Sequence, residues 1–137
     1  MSDVVIFDTS VLIDDLRSGT HERSFGSVKG NLRISAVVLA ELWRGASRSS
    51  DREFLRALSK RYPILSPTEK NWLESGQILA RIRADKGFDN HKLRDLHFDV
   101  LIALTARSCG ARLVTSNQTD FELIRHYREF KLEVWAS

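Results

Sequence analysis

Two carboxylates stand out because of where they sit. Glu41 is the only charged side chain in Ser35-Ala-Val-Val-Leu-Ala-Glu-Leu-Trp43, and Asp99 is the only one between Leu96 and Ala106. Both stretches are apolar over nearly the whole helical circumference, which predicts burial, and an unpaired buried carboxylate costs several kcal/mol. Each therefore needs a partner. One choice is a salt bridge, with Arg44 beside Glu41 or Arg94 beside Asp99. The other is a divalent cation that offsets several clustered carboxylates at once. An all-oxygen donor set selects magnesium or manganese. Zinc is disfavoured, because there is a single cysteine, Cys109, and His21, His91, His97 and His126 lack ligand-type spacing.

Two further acids occupy the ends of predicted strands. Asp8 follows the apolar, β-branched run Val4-Val5-Ile6-Phe7, and Asp120 comes shortly after Ala111-Arg112-Leu113-Val114-Thr115. Ligand sites in open parallel sheets form beyond the carboxyl ends of strands, so these two can share a crevice. Helix capping explains either one equally well. Thr9, Ser10, Thr115 and Ser116 can hydrogen-bond the carboxylates or a phosphate, with ordinary capping again the plain alternative. Asp95, four residues before Asp99, is left out of the set, since an acid near a helix start more often serves the helix dipole. Arg81, Arg83, Lys86, Lys92 and Arg94 can track a nucleic-acid backbone or simply form a solvated face.

The elements that must position these groups alternate between strand and helix. Strands are predicted at Val4–Phe7, Leu32–Ile34, Pro63–Leu65, Ala111–Thr115 and Leu132–Trp135. Helices are predicted after Asp8 through Leu16, around Glu22–Val28, from Ala36 to about Ser47, from Asp51 to about Tyr62, from Glu69 to near Gly87, from about Asp95 to Ser108, and from Asp120 to about Arg128. Phe88 to Arg94 reads as a polar connection. Strand–helix alternation implies an α/β fold with a mostly parallel sheet of about five short strands and right-handed crossovers.

The bulk properties agree. A chain of 137 residues with 42% hydrophobic and 28% charged residues suits one globular domain over residues 1–137. No apolar run reaches membrane-spanning length and no signal-type segment opens the chain, so a cytoplasmic protein is expected. The lone Cys109 fits a reducing compartment and helix-end packing. A net charge of +3 permits a polyanionic partner without demanding one.

Four segments together carry a family resemblance: D-T-S-V-L-I-D from Asp8, A-E-L-W-R-G around Glu41, H-F-D-V-L-I-A-L-T-A around Asp99, and L-V-T-S-N-Q-T-D-F ending at Phe121. In this order and at these separations the chain resembles PIN domains, in particular VapC-like toxins of type II toxin–antitoxin systems. The resemblance implies a PIN fold, a magnesium or manganese site and endonucleolytic cleavage of RNA. It places Asp8 and Asp99 as the central metal ligands, completed by Glu41 and Asp120, with Glu41 or Asp120 positioning or deprotonating the water. It also implies a homodimer and an antitoxin that covers the acidic cleft. Trp43, Phe54, Leu58, Tyr62 and Trp72 are the apolar side chains expected to serve such interfaces, with packing inside the monomer as the alternative. One departure is Asn117, three residues before Asp120, where related proteins often carry an acid. Its carbonyl oxygen can still ligate, but the lost charge puts a second metal in question. The non-enzyme alternative is a degenerate PIN module that binds RNA or a partner without cutting. A dehalogenase-type phosphatase would want an acid where Ser10 stands, and the acidic pair and lysine of a receiver domain are not evident.

Overall fold

In the computed structural model, which describes residues 3–18 and 30–136, five strands form one sheet. They are β1 (Val4–Phe7), β2 (Asn31–Ser35), β3 (Ile64–Leu65), β4 (Arg112–Thr115) and β5 (Lys131–Val134). Their order is β3-β2-β1-β4-β5 and every pairing is parallel. Six helices are present among the described residues: α1 (Thr9–Ser18), α2 (Ala36–Arg44), α3 (Ser49–Arg61), α4 (Glu69–Lys86), α5 (Asn90–Ser108) and α6 (Gln118–Tyr127). The helix predicted around Glu22–Val28 lies outside the described residues.

β1 is the central strand, and its Val5, Ile6 and Phe7 are buried, as a fully apolar run covered on both faces should be. Next to it, β4 contributes Leu113 and Val114, while α5 lays down a continuous buried stretch from Val100 to Ala106. Gly30, at φ 121°, lets β2 start close against the carbonyl of Asp3, which any Cβ there would strike. The Asn31 amide then donates to Asp3 at 2.6 Å and sets the β1–β2 register.

Helix starts follow the capping signals. The Ser35 hydroxyl accepts from the amides of Val37 and Val38, and Thr68 from that of Asn71. Gly87 closes α4 in the left-handed conformation, and Gly110 has the same sign of φ just after α5.

Three readings of the sequence need correction. α5 begins at Asn90, five residues before the predicted start, because Asp89 caps it by accepting from the Lys92 amide at 2.9 Å. Asp95 is therefore in the second turn, where it faces His91 at 3.9 Å. In α4 the residues that lie at helical spacing in the sequence, Trp72, Leu73, Gly76, Leu79, Ala80 and Arg83, do not form the buried face: Asn71, Ser75, Ile78 and Ile82 do, while Trp72 and Leu73 point outward. Cys109, expected to pack at the helix end, is exposed at the C-cap of α5.

Candidate active site

The sheet order places the reversal of winding between β1 and β4, so a crevice opens at their carboxyl ends. Asp8 is the first residue past β1, and Ser116-Asn117 follow β4. The Asp8 amide is tied to the Val114 carbonyl at 2.9 Å, continuing the β1–β4 ladder by one bond. This fixes the Asp8 side chain at the switch point, only 3% exposed.

Hydroxyl and amide donors surround that carboxylate. The Ser10 amide donates to Oδ1 of Asp8 and the Thr115 hydroxyl donates to Oδ2. Asp8 thus does cap the first turn of α1, and the capping and site readings coincide. Thr115 Oγ1 also accepts from the Asn117 amide at 2.9 Å, and Ser10 Oγ accepts from the Ser116 amide at 3.1 Å. Thr9 reaches across to α2, its hydroxyl 2.8 Å from Oε1 of Glu41.

α2 and α5 supply the two acids embedded in apolar sequence. Val37, Val38, Leu39 and Leu42 bury most of α2 and leave Glu41 on the side that faces α1. On α5, Leu96 and Val100 to Ala106 are buried while Asp99 keeps partial access to solvent. Among the described residues neither Glu41 nor Asp99 forms an arginine ion pair; Arg44 lies instead over the Phe98 ring at 5.8 Å. The salt-bridge alternative is therefore not realised.

Electrostatics link the four acids. Burial, followed by the charges of Asp8, Glu41 and Asp120, pushes the Asp99 carboxyl up to about 8, with Lys92 working against the rise. The Glu41 carboxyl is also raised, chiefly by burial and further by Asp8, while the Thr9 hydroxyl and Arg44 oppose it. Glu41, Asp99 and Asp120 line one cleft of about 550 Å³, together with Arg44, Lys92, Arg94, Asp95, His97 and Phe98. Asp95, left out on sequence grounds, borders this cleft. Among the described residues no three carboxylates, histidines or cysteines are drawn together as a ready-made metal cage.

Asp120 is not the cap of α6. That role belongs to Asn117, whose Oδ1 accepts from the Asp120 amide at 3.3 Å and whose Nδ2 donates to Asp120 Oδ2 at 3.0 Å. The Asn117 carbonyl thus accepts one bond from the helix. The other oxygen of Asp120 meets the Lys92 ammonium at 3.2 Å. Lys92 was visible in the sequence only as one of several basic residues, and its place in the cleft follows from the early start of α5.

Asp8, Glu41, Asp99 and Asp120 offer only oxygen donors, the type that hard divalent cations take. Burial first, and the repulsion of the neighbouring acids second, raise the Asp99 carboxyl.

An α/β sheet with this winding and an acidic cleft at its switch point defines a class that the comparisons specify. The PIN domain family profile matches residues 5–127, and the chain belongs to that family. Solved structures share the fold. A chain from the VapBC2 complex of Rickettsia felis bound to a promoter DNA fragment is 23% identical, with a TM-score of 0.73 over 96% of this chain and 98% of that one. A chain from DNA-bound VapBC of Salmonella typhimurium is 25% identical, with a TM-score of 0.71 over 99% and 100%. One from VapBC-5 of Mycobacterium tuberculosis is 20% identical, with a TM-score of 0.60 over 98% of each. No curated protein sequence matches. Among the described residues no helix is long and apolar enough to cross a membrane.

Proposed function

We propose that this chain is a magnesium- or manganese-dependent endoribonuclease, the toxin of a toxin–antitoxin pair acting in the cytoplasm. The observation that carries the reading is the gathering of Glu41, Asp99 and Asp120 on one cleft beside the switch-point Asp8, where burial first and the charges of the other three acids second push the Asp99 carboxyl up. Such concentrated negative charge is costly to keep without a cation, and an acidic oxygen cleft is what a phosphodiester-hydrolysing metal centre uses.

Asp8 and Asp99 would hold the metal, with Glu41 and Asp120 completing the acidic set. When bound, the cation acidifies a water and neutralises charge on the phosphate. The chain's own residues do the rest. Ser10 and Thr115 fix the rotamer of Asp8, in the way outer donors orient metal-binding carboxylates. Glu41 is the better proton acceptor of the remaining two, because burial moves its carboxyl toward neutral pH while Asp120 is held by the Lys92 ammonium. Thr9 keeps the Glu41 carboxylate aimed at the α1 side of the cleft.

An antitoxin segment that covers this cleft and brings a basic side chain to the acids would silence the enzyme by supplying the missing positive charge. The solved relatives with this fold come from VapBC complexes, which favours such a partner. A homodimer is proposed on the outward-facing aromatics, Trp43 at 38% and Trp72 at 51% exposure, whereas Phe54, Leu58 and Tyr62 pack partly against the core.

The deciding experiment incubates the pure protein with structured RNA, with and without magnesium, beside Asp8→Asn. Cleavage only with metal, lost by about 100-fold or more in the variant, supports the reading. RNA left intact under all conditions, but bound, would identify a non-cutting PIN module.

A further inference from the structure

Asp120 has a donor on each of its two carboxylate oxygens, one of them a full positive charge. The hydrogen bond described on Glu41 comes from a neutral hydroxyl, that of Thr9, and Asp8 takes bonds from the Ser10 amide and the Thr115 hydroxyl. Neutral donors orient a carboxylate toward a cation without opposing the cation. Asp120 instead has Asn117 Nδ2 on one oxygen at 3.0 Å and the Lys92 ammonium on the other at 3.2 Å. A divalent ion coordinated to that second oxygen, at roughly 2.1 Å for magnesium, would lie within a few ångström of a full positive charge.

Lys92 is placed there by the helix. It lies seven residues before Asp99 on α5, two turns up the same face, and its own amide is anchored by Asp89 at 2.9 Å. Its side chain is 38% exposed, so the ammonium borders the acids on one side and solvent on the other. Asn117, on the other oxygen of Asp120, is neutral and brings no negative charge to this side.

We propose that Lys92 is a working residue of the site: its ammonium takes the place beside Asp120 that a second divalent cation would occupy, leaving a one-metal centre, and it contacts the RNA phosphate directly. This deepens the nuclease reading and rests on it. Asp120 then acts as a positioning residue, holding Lys92 rather than a metal.

The test counts Mn²⁺ bound per chain, by electron paramagnetic resonance of the free ion, in the wild type, Lys92→Gln and Lys92→Arg. In parallel, affinity for a short single-stranded RNA is measured against salt in EDTA, where no cleavage intervenes. The wild type should bind one Mn²⁺. Lys92→Gln should bind Mn²⁺ several-fold more tightly or admit a second ion. It should also lose about 0.7 from the salt slope, the share of one phosphate contact to a single strand. Lys92→Arg, which keeps the charge, should behave as wild type on both readouts; a merely structural role would move neither stoichiometry nor slope. Two Mn²⁺ per wild-type chain, or an unchanged slope in Lys92→Gln, overturns the proposal. A wild type that binds no Mn²⁺ refutes the metal centre and the one-metal assignment together, and the slope in EDTA then decides the phosphate contact alone.

Discussion

Raising the pH on the metal-free protein should destabilise it, and Asp99 is the reason. Its carboxyl is lifted from 3.8 to about 8 in the folded chain, so the native state holds a proton that the unfolded chain has released. The contribution to stability is complete below the unfolded value and is lost as pH rises through the folded one. His97 runs the other way. Burial lowers its pKa from 6.5, so its contribution is complete above that value and is lost as pH falls through the folded pKa. From 6.5 to about 8 the His97 contribution is complete and Asp99 sets the slope, with the raised Glu41 carboxyl acting in the same direction. A single proton gives at most about 1.4 kcal/mol per pH unit, hence about 2 kcal/mol across that window, or very roughly 6 °C in Tm for a domain of this size. Thermal melts in EDTA at a series of pH values read this directly. Asp99→Asn carries no titrating proton and should flatten the profile. Saturating magnesium should flatten it as well, by favouring the ionised carboxylate, and should raise the midpoint by about 2.7 kcal/mol of stability at a hundredfold excess over Kd. A wild-type profile in EDTA as flat as that of Asp99→Asn would refute both the charge cluster and the cation inferred from it.

The other predictions concern parts that support the cleft or cover it. Thr115→Val removes the donor to Asp8 and the acceptor for the Asn117 amide, which should cost about 1–3 kcal/mol in denaturant unfolding and about 10–100-fold in Mn²⁺ affinity. Unchanged Mn²⁺ affinity would show that the hydroxyl does not orient Asp8. Ser35→Ala should lower stability by about 1 kcal/mol through loss of the α2 cap, a change read by the same unfolding curves, with Ser35→Asp recovering part of it. Light scattering at micromolar concentration should find a dimer that Trp72→Arg weakens; a strictly monomeric wild type rejects the homodimer.

The sequence carried the architecture well because its signals were redundant. β1 was marked both by its unbroken apolar run and by the capping residues that follow it, and α2 both by Ser35 and by its apolar faces. Glu41 and Asp99 were legible for a related reason: a lone charge in an apolar helix must face something that tolerates it, and both border the acidic cleft. What stayed hidden depended on tertiary partners. The inward turn of Asn71 and Ser75 could not come from hydrophobicity, since Asn71 Nδ2 finds Ser108 Oγ at 3.0 Å and Ser75 Oγ finds His97 Nε2 at 3.0 Å, both on α5. Those bonds satisfy polar side chains inside the helix interface. The start of α5 differs from the sequence reading. Phe88 to Arg94 reads as a polar connection because His91-Lys92 and Arg94-Asp95 give no apolar stripe, whereas Asp89 caps a helix that starts at Asn90. A helix that opens over a polar cleft has no need of apolar residues in its first turns. The lack of hydrophobic periodicity there reflected a face turned toward the acids, and the five-residue shift is what carries Lys92 from a loop to Asp120.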